Sequence, residues 1–158
     1  MSPGLQFDAD AKRGDSVVTV LAVSPNRDDL AALHEILNHS NWVLREARSC
    51  RQAIDELKTE PAGVVVCEHS LPDGSWRDIQ SAVSGLDSPP PVVVSSLHAD
   101  DRMWAEVLNL GGYDVLPEPF DRNEVVRILS LAWLHWKDHC RRMRRPSQGS
   151  VMAMAATA

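Results

Sequence analysis

Residues 63–75 read GVVVCEHSLPDGS, and the first half of that stretch decides the fold. Gly63 opens a run of three valines and a cysteine with no polar position in it. A strand with one wet face alternates apolar and polar residues. An unbroken β-branched run is instead a strand covered on both faces, as in a parallel sheet. Glu68, His69 and Ser70 end the run, and Leu71-Pro72-Asp73-Gly74 is a turn signal. The strand therefore delivers a carboxyl and an imidazole to one edge of a sheet.

The pattern repeats on both sides. Upstream, Val17–Val23 is another strand of the same kind, stopped by Ser24-Pro25-Asn26, and Leu30, Leu33, Ile36 and Leu37 then fall at helical spacing. Trp42–Ala47 is a weaker strand, and Cys50, Ala53, Ile54 and Leu57 mark the next helix. Downstream, a weak helix over roughly 76–86 is broken by Pro89-Pro90-Pro91 before the strand Val92–Val94. Asp100–Leu110 is a helix closed by Gly111-Gly112. Tyr113–Leu116 is the fifth strand, and the last helix starts near Asp121 and runs to about Arg144. Five strands alternating with five helices predict an open parallel α/β sheet with helices on both faces. Ligands of such sheets collect beyond the carboxyl ends of the strands. The segments that matter are therefore Ser24–Asn26, Glu68–Ser70, Ser95–His98 and Pro117–Pro119.

The chain has 158 residues, 44% hydrophobic and 24% charged, which is the mix of one globular domain. Its formal net charge is -6. Residues 1–140 hold 12 of the 16 basic residues and all 22 acidic ones, giving -10, whereas Arg141, Arg142, Arg144 and Arg145 add +4. An acidic body argues against a nucleic-acid binder. Cys50, Cys67 and Cys140 form neither a C-x-x-C pair nor an even framework, which argues against disulfides and a structural zinc. No apolar run reaches membrane-spanning length, and the polar opening segment argues against a signal peptide. The expected location is the cytoplasm, where the sequon Asn38-His39-Ser40 has no meaning. Residues 1–15 and 146–158 read as disordered ends around a domain at 16–145, with no output domain after it.

Two motifs add a family. The order of elements over roughly residues 16–137 resembles the receiver domain of two-component response regulators. Leu71-Pro72-Asp73-Gly74-Ser75 resembles the loop after the family's phosphoacceptor. Residues 112–121, GYDVLPEPFD, resemble its fifth strand and the basic-residue–Pro–Phe turn that follows. The resemblance implies a flavodoxin-like (βα)5 fold with strand order 2-1-3-4-5, a cis Glu118-Pro119 bond and a role in bacterial signal transduction. It also places the family's phosphorylation chemistry on Ser24 and Pro25 (the acidic pair that holds Mg²⁺), Glu68 (the phosphoacceptor), Ser96 (the Ser/Thr) and Glu118 (the lysine). Leu97 stands where the family has a small residue, and Val115 where it has the aromatic switch.

These departures predict a degenerate site. Mg²⁺ wants octahedral oxygen ligands and usually one or two carboxylates, which Ser24 and Pro25 do not supply, so Mg²⁺ binding is expected to be lost and no cofactor is expected. Phosphoryl transfer needs cationic stabilisation, and a glutamate at 118 reverses that charge. Glu68 then reads as a drifted residue rather than a phospho-aspartate mimic. If Glu68 and Glu118 converge, they repel, and Arg27 is the expected guanidinium beside them. His69 and His98 have no recognised metal-ligand spacing and read as solvated, so no metal site is expected.

The function expected is a stand-alone, phosphorylation-independent protein-interaction module with no catalytic residues. One alternative is a response regulator with altered phosphorylation or metal-dependent switching at Glu68. Another is a small flavodoxin-like enzyme or cofactor binder, for which no phosphate-cradling Gly-rich loop is present. Trp104 either packs the core or offers a partner-contact aromatic. The last helix carries Trp133, Leu134 and Trp136 on more than one face. At 1.5 Å per residue it spans about 34 Å, against about 17–20 Å for a strand, so Trp136 is expected to project past the sheet. The surface of Trp104, Trp133, Leu134 and Trp136 is the expected contact for a signalling partner or a second copy in a homodimer.

Overall fold

The computed structural model describes residues 17–38 and 41–144. The segments 1–15 and 146–158, Arg145, and the His39 and Ser40 of the sequon lie outside the described residues. Five strands form one parallel sheet: β1 (Val18–Val23), β2 (Trp42–Ala47), β3 (Val64–Glu68), β6 (Val92–Ser96) and β7 (Asp114–Pro117), in the order β2-β1-β3-β6-β7. Numbered among themselves they run 2-1-3-4-5, as expected. A two-residue antiparallel hairpin, β4 (Ser70–Leu71) with β5 (Gly74–Ser75), lies in the loop after β3.

The valine runs are buried because helices cover both faces. Val20, Ala22, Val64, Val66, Val93 and Leu116 pack under α1 (Arg27–Leu37) and α5 (Arg122–Arg144). Leu21, Val23, Val65, Cys67, Val94 and Val115 pack under α2 (Cys50–Thr59), α3 (Trp76–Ser84) and α4 (Asp101–Asn109). Successive residues of each strand thus serve opposite layers, and each buried valine or leucine contributes about 1.5–3 kcal/mol. Trp76 is the largest fully buried side chain; Gly112 lies close against it, since a Cβ there would stand 3.4 Å from the indole.

The last helix corrects one expectation. Trp136 does not project freely past the sheet. Its Nε1 donates to the Ser88 carbonyl at 3.2 Å, and it is partly buried. Gly63 makes the room: a Cβ there would lie 2.9 Å from Trp133 Cδ1 and 3.4 Å from Trp136 Cε3. Helix α5 runs back across its layer to the edge where β3 begins, so both indoles close over that edge. Lys137 Nζ sits 4.9 Å from the centroid of the Trp133 ring, and the His135 ring packs 5.7 Å from Tyr113. Leu131 and Leu134 remain exposed on the outer side.

Candidate functional site

Register brings the functional positions into one row. Val23 pairs with Cys67, Glu68 with Ser95 and Ser96 with Pro117, so the residues that leave these strands share the carboxyl edge. Ser24 is buried there, and its Oγ accepts from the Asn26 N–H at 3.1 Å. Pro25 is exposed and brings no ligand. The Ser96 Oγ accepts from the His98 N–H at 3.0 Å, closing its own turn, while Leu97 stands out in solvent. Glu118 donates its backbone N–H to the Ser96 carbonyl at 2.9 Å, and its bond to Pro119 is cis, as the resemblance implied.

A fourth residue completes the cleft. Asn26 caps α1 by accepting from the Asp28 N–H at 2.9 Å, and this places Asp29 in the first turn. Asp29, Glu68 and Glu118 each bring a carboxylate oxygen to within 4.8 Å of the others. Glu118 is only 9% exposed, and its Oε2 is buried with no hydrogen-bond donor. Ser95 Oγ donates to Glu68 Oε2 at 3.2 Å. Burial and the Glu118 carboxylate push the Glu68 carboxyl up to about 8, with Asp29 adding to the shift and Ser95 opposing it. Burial and Glu118 likewise push Asp29 up to about 6.

Arg27 does not fill the cationic role expected of it. It is exposed, makes no ion pair among the described residues, and lines a separate cleft with His34, Glu35 and Glu46. Two helical residues turn the chain by about 200°, so Asp29 faces the sheet edge and Arg27 faces away. Sequence reasoning missed Asp29; the signal that could have found it is the Asn26 cap, which sets Asp29 in the first turn of the helix that leaves β1. His69 turns to Ser70 Oγ at 3.2 Å and stands 3.6 Å from Glu106, whose other oxygen pairs with Arg77; His98 is exposed.

The turn motif has a structural job. Both Asp73 oxygens accept from the start of α2, from the Cys50 N–H at 2.7 Å and the Arg51 N–H at 3.0 Å. Those two donors hold the Asp73 carboxyl below the usual range. Ser75 and Asp78 form a capping box that starts α3. A Cβ on Gly74 would fall 2.2 Å from Asp78 Oδ2 and 2.9 Å from Cys50 Sγ, so glycine is required where the loop pinches.

On the flank, Trp104 is 50% exposed, and its Nε1 donates to Asp114 Oδ1 at 2.9 Å. It borders a cleft shared by α4, β7 and α5, with Val115, Arg127 and Ile128 among the lining residues. Trp104 is thus neither core nor fully free.

A doubly wound parallel sheet with acidic groups at its carboxyl edge defines a flavodoxin-like α/β protein. Residues 20–130 match the model of the response regulator receiver domain, and the chain belongs to that family. It is 22% identical over 109 residues to the C4-dicarboxylate transport transcriptional regulatory protein DctD of Rhizobium meliloti (strain 1021), covering 69% of this chain and 24% of that protein. It is 22% identical over 117 residues to the DNA-binding transcriptional regulator NtrC of Proteus hauseri, covering 70% and 24%. The chain thus spans about a quarter of the length of these relatives. Among solved structures, the signal receiver domain of an HD domain-containing protein from Pseudomonas fluorescens Pf-5 superposes with a TM-score of 0.72 at 21% identity, covering 79% of this chain and 93% of that one. The signal receiver domain of a Luxo repressor protein from Vibrio parahaemolyticus gives 0.70 at 20%, covering 77% and 94%. A receiver domain is a two-component signalling module, and among the described residues no helix is long and apolar enough to cross a membrane.

Proposed function

We propose that this receiver domain works as a phosphorylation-independent protein-interaction module in the bacterial cytoplasm. The observation that carries the reading is Glu118, a nearly buried carboxylate facing Glu68 where the resemblance places a lysine. A phosphoryl group on Glu68 would bring its negative charge against Glu118 and Asp29, with no cation paired to any of the three among the described residues. The magnesium-assisted transfer of the family also lacks its acidic pair at Ser24 and Pro25. When bound, magnesium in this family supplies charge neutralisation for the transferred phosphoryl group.

The working surface in this reading is the flank of α4, β7 and α5, where Trp104, Leu131 and Leu134 are exposed. Trp133 and Trp136 lie instead against Gly63, at the edge where β3 begins. The partner is a signalling protein or a second copy of the chain, rather than nucleic acid. Incubation with acetyl phosphate and Mg²⁺, followed by intact mass, tests the first half of the reading. An unchanged mass is expected. A stable gain of one phosphoryl group, removed by Glu68→Gln, would overturn it.

A further inference from the structure

We propose that α5 pairs with the α5 of a second copy of this chain, antiparallel about a two-fold axis, through an outer stripe whose charges complement themselves across that axis. Glu124, Arg127, Leu131, Leu134, Asp138 and Arg142 follow one another at spacings of three or four residues. At about 100° per residue the six lie within about 80° of the helix surface. The core side of the same helix is taken by Val125, Ile128, Leu129 and Ala132, all buried. Leu131 and Leu134 are 48% and 52% exposed. Arg127, Asp138 and Arg142 are exposed as well, and Glu124 is partly so.

The stripe reads acid, base, apolar, apolar, acid, base. Read from its other end with the charges exchanged, it is the same stripe. A two-fold axis between Leu131 and Leu134 sets each leucine against the other leucine of the second copy. At 1.5 Å per residue, Arg127 and Asp138 each stand about 8 Å from that axis, and Glu124 and Arg142 about 13 and 14 Å. Antiparallel pairing therefore lays Arg127 against the second copy's Asp138 and Glu124 against its Arg142, and each contact occurs twice. Parallel pairing in register would set every charge against itself, which repels.

The charges are free to take these partners. Glu124 and Arg127 enter no ion pair among the described residues. Asp138 Oδ2 and Arg142 Nη2 pair with each other at 3.1 Å, with both side chains more than half exposed. In the dimer that pair would lie between Arg127 and Glu124 of the second copy, giving four charges of alternating sign at each end of the contact. The leucines at the centre supply the apolar burial, and the charges fix register and direction. Side chains spaced three and four apart also mesh when two helices cross at a shallow angle. Glu124 and Arg127 line the Trp104 cleft, so the stripe is continuous with the flank described above. The inference deepens the interaction-module reading by naming a second copy as the occupant, and it rests on that reading for the surface alone.

The test is sedimentation velocity of the full chain over about 1–200 µM, in about 50 mM and about 500 mM NaCl. A species of two chains and none larger is expected, weaker by severalfold at the higher salt. Arg142→Glu and Glu124→Arg each place like charges at two points of the dimer. Each variant, checked for folding by circular dichroism, should associate about tenfold or more weakly. Mixed in equal amounts, the two should associate with each other about as the unmodified chain does with itself, because every like-charge contact becomes an opposite pair. Lys58→Glu, on α2 in the other layer, makes the same change in net charge as Arg142→Glu and should leave association unaltered. A monomer throughout for the unmodified chain overturns the pairing and leaves the stripe to a different protein. Assembly beyond two chains overturns the two-fold axis. Undiminished association of either folded variant, or no recovery in their mixture, overturns the antiparallel register. A phosphoryl gain in the acetyl phosphate experiment would overturn phosphorylation independence and move none of these outcomes, so the two readings fail separately.

Discussion

Glu118 holds a nearly buried carboxylate within 4.8 Å of those of Glu68 and Asp29. The consequence for stability can be given a sign. The Glu68 carboxyl stands at about 8 in the folded protein against an ordinary 4.5, and Asp29 at about 6 against 3.8. The folded state therefore keeps protons that the unfolded chain releases. The stabilisation this provides is fully present below the unfolded values and is lost as pH rises through the folded ones. In chelator-stripped protein, the urea midpoint should fall between about pH 5 and about pH 8.5 relative to Glu118→Gln, in which the fall should be shallower. At the upper end Glu118→Gln should be the more stable protein, by on the order of 1 kcal/mol. A midpoint difference that does not change with pH would contradict the coupling. Glu118→Lys should go further, placing an ammonium opposite Glu68 and returning that carboxyl toward its ordinary range, as carbon-detected NMR titration of the glutamate side chains would show.

At the scale of elements, Asp73 ties the loop after β3 to the N-terminus of α2. Asp73→Ala removes a carboxylate that accepts two backbone N–H groups and should lower the urea midpoint, with Asp73→Asn lowering it less. The large elements were legible in the sequence because unbroken β-branched runs can be stable only when both faces are covered. The turn motif and the Glu-Pro-Phe segment then set the chain order. What stayed hidden depended on rotation and on absent side chains. Asp29 lies in the first turn of α1, and Arg27 in the same turn drew attention because it carries the right charge, although the helix points it elsewhere. Trp136 was misplaced because length alone sends a long helix past a strand. The missing Cβ of Gly63, on another element, lets the indole fold back. The hairpin of Ser70–Leu71 with Gly74–Ser75 is too short to show any periodicity of its own.

For the whole molecule, most of the large apolar groups left outside gather on α4 and α5, while Leu97 stands alone at the carboxylate edge and Val17 and Val43 lie on the β1 and β2 side. Trp104, Leu108, Leu131 and Leu134 are all more than two-fifths exposed. Leu131 and Leu134 are three apart and share one side of α5. The double change Trp104→Asp with Leu134→Asp should leave the circular dichroism spectrum intact and weaken self-association or partner capture. Sedimentation velocity across the micromolar range checks the first, and a monomer throughout for the unmodified chain would remove the homodimer. The indoles themselves differ in a way that makes this surface visible by light. Trp76 is wholly buried with no partner for its Nε1, whereas Trp104 is half open to water and bonded to Asp114. Emission collected at the red edge of the tryptophan band therefore favours Trp104 over Trp76, iodide should quench it collisionally, and Trp104→Phe should remove that fraction and set it apart from the partly buried Trp42, Trp133 and Trp136. Loss of iodide quenching on mixing with a partner would report that the α4 flank has been covered, with no label attached to either protein.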